Sequence, residues 1–322
     1  EGQIALAIPG EDDEVTVHTS TQHPSEAQAL VAKVLGTVNS AVTAEVRRMG
    51  GGFGGKESQA SAWAAMAALA ARITSRPCKM RLDRDDDFVM TGKRHDFLGD
   101  YAAAHDGEGR LTAVAMHLAS RCGYSHDLSA SINDRAMFHA DNAYFYPAAL
   151  IQSRRMLTHT VSNTAFRGFG GPQGMVVAER LMDRIAWATG RDPLDIRYAN
   201  LYGAGRDHTP YGMTVDDMVA GEIMRELEAA SDYRARRRQI ADFNAGSRYL
   251  KKGLALTPVK FGISFTTTFL NQAGALVHLY ADGSIQLNHG GTEMGQGLHT
   301  KMLQVAATAL GVPLASVRLR SE

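Results

Sequence analysis

Gly50-Gly51-Gly52-Phe53-Gly54-Gly55-Lys56-Glu57 is a glycine-rich run that we call loop 1. It follows a predicted strand over residues 42–49 and precedes an alanine-rich segment, 57–72, that has strong helix propensity. Dense glycine lets backbone N–H groups approach and surround an anion. The order of strand, glycine loop and helix predicts a binding loop in a mixed fold, although a tight turn is an equally good interpretation of an isolated loop.

Two familiar motifs match loop 1 only weakly. Residues 50, 52 and 55 fit the dinucleotide pattern G-x-G-x-x-G, and residues 50, 55 and 56 fit a phosphate-binding loop as far as its Lys. Glu57 stands where that second pattern needs the Ser or Thr that holds magnesium, and it would repel phosphate. Asp83 comes late for the acidic residue of the dinucleotide pattern. Neither motif identifies the ligand.

Two further loops share the glycine-rich design. Loop 2 is Ala165-Phe166-Arg167-Gly168-Phe169-Gly170-Gly171-Pro172-Gln173, and loop 3 is His289-Gly290-Gly291-Thr292-Glu293-Met294-Gly295-Gln296-Gly297. Each precedes a predicted helix, and Arg167 adds a permanent positive charge before a helix N-terminus. A helix cap with an exposed Arg is the alternative for loop 2. Together the three loops predict one large ligand with several anionic or polar edges.

Composition excludes several classes of partner. The chain has 322 residues, with 34 Lys plus Arg against 34 Asp plus Glu, so it has no electrostatic footprint for nucleic acid or an anionic membrane surface. The longest apolar run, residues 62–71, is well short of the roughly 20 residues of a membrane-spanning helix. Cys78 and Cys122 support neither a disulfide framework nor a zinc or iron–sulfur site. We expect a protein of the reducing cytoplasm.

Hydrophobic periodicity predicts an α+β fold with mixed sheets and helices. Strands are predicted near residues 3–8, 14–19, 42–49, 78–82, 110–121, 150–159, 253–265, 273–280 and 284–289, and helices near 24–35, 57–72, 172–190, within 192–243, and 298–310. A hairpin turn is predicted at residues 106–109. Asn244-Ala245-Gly246-Ser247 is the best candidate linker, which predicts one domain over residues 1–245 and a truncated second domain over 246–322. The sequence opens within a predicted strand, so we expect a piece of a longer chain.

At its three loops the sequence resembles the xanthine dehydrogenase and aldehyde oxidase family of molybdenum hydroxylases, and the similarity covers essentially the whole chain. Its strongest stretches are residues 48–57, 162–173, 260–275 and 289–302. The resemblance implies a molybdopterin cofactor whose dithiolene holds the molybdenum, with no side chain bound to the metal. It also implies that 2Fe-2S clusters and FAD lie on other domains or subunits, and that the full enzyme is a dimer.

The resemblance assigns cofactor contacts residue by residue. Gln22, the backbone amide of Phe53, and Arg167 would face the molybdenum ligands, as the outer shell of the metal. Gly54 and Gln296 would hold the pterin. Without the resemblance, Gln22 would be interpreted as an ordinary loop residue before a helix.

The resemblance also implies a purine pocket in which Phe169 and Phe265 sandwich the substrate, Glu57 and Arg135 act on its polar edge as catalytic residues, and Thr266 contacts it. Singly, the two Phe would be interpreted as core residues and Arg135 as a solvated helix charge. Collectively, a flat heteroaromatic is well held between rings, and an Arg can stabilise negative charge that develops on a carbonyl oxygen. The aldehyde-oxidising branch lacks this Glu and Arg pair.

The implied reaction is hydroxylation of hypoxanthine and xanthine by a metal-bound hydroxide, with hydride transfer to a sulfido ligand. The family's general base is a Glu near the far end of the subunit, and nothing in this sequence aligns with it, so we expect the chain alone to be inactive. Glu293 belongs to loop 3 and is not assigned this role. The alternatives are an aldehyde or N-heterocycle hydroxylase of the same family, and a non-catalytic cofactor-binding or assembly module.

Overall fold

The computed structural model describes residues 2–320 and contains nine α-helices and ten β-strands in that range. The helices are α1 Pro24–Leu35, α2 Ala60–Thr74, α3 Arg84–Met90, α4 Ser129–Phe138, α5 Gly171–Thr189, α6 Pro193–Asn200, α7 Ala220–Ala230, α8 Tyr233–Gly246 and α9 Leu298–Leu310. The strands are β1 Ile4–Pro9, β2 Val15–Thr19, β3 Val42–Glu45, β4 Cys78–Arg81, β5 Phe97–His105, β6 Leu111–Gly123, β7 Ala149–Leu157, β8 Ala275–Leu279, β9 Ile285–His289 and β10 Val317–Leu319.

The first sheet has the order β3-β2-β1-β4 and packs against α1 and α2. Strand β1 alternates between buried and half-buried residues along most of its length, which gives the sheet one core face. Helix α2 contributes a row of alanines, Ala64, Ala67, Ala68 and Ala71, each at most 2% exposed. Their small side chains let the helix lie close to the sheet, and this fixes the position of loop 1, which leads into α2.

The second sheet has the order β5-β6-β7 and packs against α4 and α5. Helices α4 and α5 approach closely, because a Cβ on Gly170 or Gly174 would lie 2.0 Å or 2.1 Å from a backbone oxygen of α4. Gly170 also has φ of 96°, which favours glycine. Loop 2 is thereby fixed against α4, the helix that carries Arg135.

The third sheet has the order β10-β9-β8, and a small core joins it to α9. Loop 3 connects β9 to α9. Its Glu293 acts as an acceptor for the start of that helix: Oε1 accepts from the amides of Gly295 and Gly297, and Oε2 accepts from the amide of His299. Loop 3 is therefore shaped by its own carboxylate.

The α+β class predicted from the sequence is confirmed by the mixed sheets and helices. The predicted strand over residues 253–265 is wrong, because this segment pairs with no strand in the described structure and its polar groups are bonded by side chains instead. Helix α3 and strand β10 were not predicted, α4 was implied only by the interpretation of Arg135 as a helix charge, and β3 ends at Glu45 rather than residue 49. The predicted linker lies at the end of α8, and residues 201–219, predicted as helical, contain only turns and isolated bridges.

Candidate functional site

The three glycine-rich loops, far apart in sequence, meet in space. A Cβ on Gly54 of loop 1 would lie 2.7 Å from the Cα of Phe166 and 2.8 Å from the carbonyl oxygen of Ala165, both in loop 2. The amide of Phe53 in loop 1 lies 3.3 Å from Sδ of Met294 in loop 3. Residues from three sheet systems thus surround one place, as a ligand enclosed from several sides requires.

Gln22 holds loop 1 in place through hydrogen bonds to its backbone. Its Oε1 accepts from the amides of Gly54 at 2.7 Å and Lys56 at 3.4 Å, and its own amide donates to the carbonyl of Lys56 at 2.8 Å. Glycine at position 52 leaves room for this approach, since a Cβ there would lie 2.7 Å from Oε1 of Gln22. Oε1 of Gln22 is already hydrogen-bonded, whereas Nε2 has no acceptor among residues 2–320. Nε2 can therefore donate to a ligand.

Phe53 presents its backbone amide in a strained conformation. Its φ is 48°, a region that a bulky L-residue rarely adopts, and its side chain is 45% exposed. The acceptor of this amide, the Met294 thioether, is a weak one. An oxygen atom of a polar ligand would therefore replace the thioether with a gain in hydrogen-bond strength, and backbone strain of this type is frequent at ligand sites.

A cleft of about 950 Å³ opens beside Gln22 and the start of loop 3. Its walls come from α1 and β3 on one side and from β8 and β9 on the other, and they include Gln28, Asn288 and Thr292. Asn288 Oδ1 is buried without a hydrogen-bond partner. The volume lies in the range of cofactor pockets, and an orphaned buried acceptor fits a ligand with donor groups. A pterin is such a ligand.

Phe169 and Phe265 are brought together, as the proposed sandwich requires. Their ring centroids lie 5.3 Å apart with the planes inclined by 54°, so the two rings contact each other directly. A flat ring between them would need about 7 Å, twice the normal contact distance of carbon atoms. For a flat ligand to lie between them, the rings would have to separate by about 2 Å.

Arg135 is a buried residue, at 4% exposure, and the interpretation as a solvated helix charge is wrong. Its guanidinium lies 5.5 Å from the ring centroid of Phe169 and 5.4 Å from that of Phe261. Nη1 donates to the carbonyl of Gly262 at 2.6 Å and Nη2 donates to the carbonyl of Ser264. Burial lowers the pKa of Arg135, because desolvation disfavours the charged form.

Two polar atoms near the ring pair are buried without partners: Nε of Arg135 and Oγ1 of Thr266. Thr266 follows Phe265 directly, two residues after the carbonyl that Arg135 binds. Leaving a buried donor or acceptor unsatisfied costs about 1–3 kcal/mol. Such atoms beside two aromatic rings fit a flat ligand with polar edges.

Glu57 closes loop 1 and is half-buried. Burial is the largest cause of its raised pKa, and the charges of Asp127 and Glu26 raise it further, while His23 lowers it. A carboxyl of this kind retains its proton more readily and can donate a hydrogen bond. Among residues 2–320, no hydrogen bond or ion pair joins its side chain to another predicted site residue.

The side chains of Arg167 and Gln296 differ in their surroundings. Arg167 is exposed, and its carbonyl accepts from Nη2 of Arg94 at 2.8 Å. The side chain of Gln296 bridges loop 3 internally: Nε2 donates to the carbonyl of Thr292 at 2.9 Å, and Oε1 accepts from the amide of Met294 at 2.5 Å. Contact with a pterin through this carboxamide would exchange these bonds.

Asp127 joins the predicted elements but was missed by sequence reasoning. It accepts from Oγ of Ser58 at 2.7 Å, Nε2 of Gln59 at 2.6 Å and Oγ1 of Thr164 at 3.3 Å. The residue therefore fixes the end of loop 1 to the chain just before loop 2. No signal could have found it, because its partners lie 37 to 69 residues away in sequence.

Glu293 gives a prediction for loop 3. Replacing Glu293 with Ala removes the acceptor of three amides, so we expect a loss of about 1 kcal/mol of stability, as for other helix-cap residues. The bonds lower the pKa of Glu293, so its contribution is present above the ordinary pKa of 4.5 and is lost as the pH falls further. Thermal unfolding of wild type and variant at pH 7 and pH 4 measures both effects, and an equal difference at the two pH values would contradict the assignment.

Comparison with known proteins shows the family and the fold of the chain. The family model of the molybdopterin cofactor-binding domain matches residues 1–201, and a second molybdopterin cofactor-binding domain model matches residues 226–322. Solved structures with the same fold include quinoline 2-oxidoreductase from Pseudomonas putida 86 (23% identity, TM-score 0.81, covering 99% of this chain and 42% of that one). Another is the aldehyde oxidoreductase from Desulfovibrio gigas (24% identity, TM-score 0.79, covering 100% of this chain and 35% of that one).

The chain belongs to the molybdopterin cofactor-binding domains of molybdenum hydroxylases. Within that class, its curated relatives include the xanthine dehydrogenase of Calliphora vicina, 45% identical over 99% of this chain, and the xanthine dehydrogenase/oxidase of Gallus gallus, 45% identical over 98%. The chain spans about a quarter of the length of these relatives, 24% and 23% respectively. None of the helices in residues 2–320 combines the length and apolar composition needed to cross a lipid bilayer.

Proposed function

We propose that this chain carries the cofactor-binding and purine-binding part of a xanthine dehydrogenase, which hydroxylates hypoxanthine and xanthine. One observation carries the proposal: a buried guanidinium, Arg135, lies against the ring pair Phe169 and Phe265 with its Nε unpartnered. Rings hold a flat heteroaromatic by its faces, and a buried cation recognises a carbonyl oxygen at its edge. A simple aldehyde would use neither feature fully.

The residues that would hold the molybdenum cofactor are Gln22, Phe53 through its amide, Arg167, Gly54 and Gln296. Gln22 has a free Nε2 and Phe53 has an amide bonded only to a thioether, so both offer donors to oxygen atoms of the group. Gly54 brings loops 1 and 2 into contact. When bound, the cofactor supplies the oxygen that is added to the purine and accepts the electrons that leave it.

On the substrate side, Arg135 stabilises negative charge that grows on the purine oxygen during attack, and Phe169 with Phe265 fixes the plane of the ring. Glu57 bonds the purine edge, helped by a raised pKa that lets it donate a proton as well as accept one. Thr266 completes the contacts through its unpartnered hydroxyl. These residues bind and orient the substrate and carry no covalent step.

The general base lies outside these 322 residues, in our proposal. Glu293 is unsuited to the role because both of its carboxylate oxygens accept from loop 3 and α9 amides. We further propose that 2Fe-2S clusters and FAD on other domains or subunits remove the electrons, that the complete enzyme is a dimer, and that residues 1–245 and 246–322 are separate domains. The chain alone would then be inactive.

The test compares two substrates with the native protein and its full set of cofactors. We expect oxidation of hypoxanthine with a kcat/KM at least about 100-fold above that for benzaldehyde, because a site built to bond polar groups strongly discriminates against substrates that lack them. The measurement is initial rate against concentration with an artificial electron acceptor. A preference for benzaldehyde would support an aldehyde hydroxylase, and bound cofactor with no turnover of either substrate would support an assembly module.

A further inference from the structure

Residues 257–266, which we call the crossing segment, lie across α4 and its following turn without joining any sheet in the described structure. Their backbone is bonded by side chains instead. The carbonyl of Pro258 accepts from Nδ2 of Asn142 at 2.9 Å, and the amide of Lys260 donates to Oδ1 of Asn142 at 3.1 Å. Irregular backbone needs such partners when it is packed on a protein surface.

A charged pair also holds the crossing segment. Nζ of Lys260 lies 2.5 Å from Oδ2 of Asp141, a residue that is 1% exposed. The same oxygen accepts from the hydroxyl of Tyr202, while Oδ1 has no partner. The ammonium also lies 4.9 Å and 5.7 Å from the ring centroids of Tyr202 and Tyr211, contacts that suit a partly desolvated cation.

His139 provides the next contact, and its two bonds define its tautomer. Nδ1 lies 2.9 Å from the carbonyl of Arg135, so it carries the proton, and Nε2 accepts from the amide of Gly262 at 3.1 Å. Burial is the largest cause of the lowered pKa of His139, and the charges of Arg135 and Lys260 lower it further. The neutral ring that this bonding pattern requires is therefore the favoured form.

The contacts recur at alternate residues of the crossing segment. Residues 258, 260, 262 and 264 are each bonded to α4 or its following turn, as expected where an extended chain directs every second residue to one side. Beyond them, Asn271 closes the other side, with Oδ1 accepting from the amide of Phe265 at 2.7 Å and Nδ2 donating to its carbonyl at 2.9 Å. Phe265 is thereby held from both directions.

We propose that His139, Asp141 and Asn142 are positioning residues, which hold the crossing segment so that the ring of Phe265 faces Phe169 and the hydroxyl of Thr266 stays in the pocket. Their role in this proposal is to act through the segment rather than on the substrate. The ring pair has to separate for a purine to enter, and a segment anchored on one side limits that movement to the residues after Ser264. The kinetic part of this inference rests on the proposed function, whereas the structural part does not.

The test uses the native holoenzyme with His139→Phe, Lys260→Met and the double variant Lys260→Met with Asp141→Asn. The matched control is Arg234→Met, which breaks the ion pairs of Arg234 with Asp195 and Glu228, away from the crossing segment. Hydrogen–deuterium exchange of peptides covering residues 257–266 should rise about 10-fold or more in the first three variants, with α4 and α5 still protected. The control should leave this exchange unchanged.

Kinetic measurements on the variants distinguish a positioning role from an effect on stability. We expect the KM for hypoxanthine to rise on the order of 10-fold in His139→Phe and Lys260→Met, with a smaller change in kcat, because misplaced contacts weaken substrate binding. Asp141→Asn in the Lys260→Met background should recover melting temperature by removing an unpaired buried carboxylate, yet leave KM raised.

The outcomes separately test whether these residues hold the crossing segment, whether they position the pocket, and whether the proposed function is right. If hydrogen–deuterium exchange of residues 257–266 is unchanged in both His139→Phe and Lys260→Met, these residues do not hold the crossing segment. If KM recovers together with the melting temperature in the double variant, the positioning role is overturned. If exchange rises while KM stays constant, positioning of the pocket is likewise overturned and the proposed function stands. If the wild type oxidises no purine, the proposed function fails, and the exchange measurement alone still decides whether these residues hold the segment.

Discussion

Replacing Arg135 with Met should lower kcat/KM for hypoxanthine by about 10²–10³-fold, the loss expected when a donor to a developing oxyanion is removed. The reason is the position of the guanidinium, buried against Phe169 with an unpartnered Nε. Benzaldehyde has no second polar edge to recognise, so its kcat/KM should fall much less. Glu57→Val should act in the same direction, and the double variant should favour aldehydes.

Arg135 also binds the carbonyls of Gly262 and Ser264, so the Met variant loosens the crossing segment as well. His139→Phe is the control for that effect, because it removes a bond to the same segment and keeps the guanidinium. The purine loss in Arg135→Met should exceed the loss in His139→Phe by at least about 10-fold. Equal losses for hypoxanthine and benzaldehyde, with molybdenum content retained, would mean that Arg135 is a structural residue only.

Replacing Gly54 with Ala should displace loop 1 from loop 2 and abolish cofactor retention. The φ of Gly54 is 100°, and the added Cβ would lie 2.7–2.8 Å from backbone atoms of Ala165 and Phe166, which cannot rotate away. Left-handed strain of about 1–2 kcal/mol and overpacking of about 1–3 kcal/mol together predict a loss of about 2–5 kcal/mol. We expect little or no molybdenum in the purified variant.

Gly190→Ala is the matched control for this change. Gly190 also has a positive φ, 67°, but nothing lies within 4 Å of its added Cβ, and it ends α5 at a distance from the three loops in sequence. This variant should lose only the strain, about 1–2 kcal/mol, and keep its molybdenum. Metal analysis and thermal unfolding of both variants make the comparison. Molybdenum retained at wild-type level in Gly54→Ala would show that the contact of loops 1 and 2 is not needed for the cofactor.

Local sequence signals predicted most of the regular elements of this fold. Helix α5 illustrates why: Pro172 in its first turn and Gly190 at its end are strong boundary signals, and the observed helix spans Gly171–Thr189. Helix α4 had no such boundary signal, because it lacks a side-chain cap and half of its residues are polar. Its helical state depends on packing against α5, which sequence periodicity does not report.

Part of the candidate site could likewise be predicted from the sequence, and part could not. The loops were identifiable because glycine is required where backbones approach closely, as at Gly54 and Gly170. The crossing segment was misinterpreted as a strand because its apolar, β-branched composition is typical of strands. The same composition also suits an extended chain whose backbone is hydrogen-bonded by side chains. The partners that satisfy it, Arg135, His139 and Asn142, lie more than 110 residues earlier, so no local pattern connects them.

In our proposal, the three loops hold a molybdenum cofactor beside a purine pocket. The most direct measurement is the molybdenum and pterin content of the native, fully assembled protein, determined by elemental analysis and by pterin fluorescence after release. We expect one molybdenum and one pterin for each copy of this chain, with both lost together in Gly54→Ala. Protein that turns over substrate while containing neither molybdenum nor pterin would contradict it.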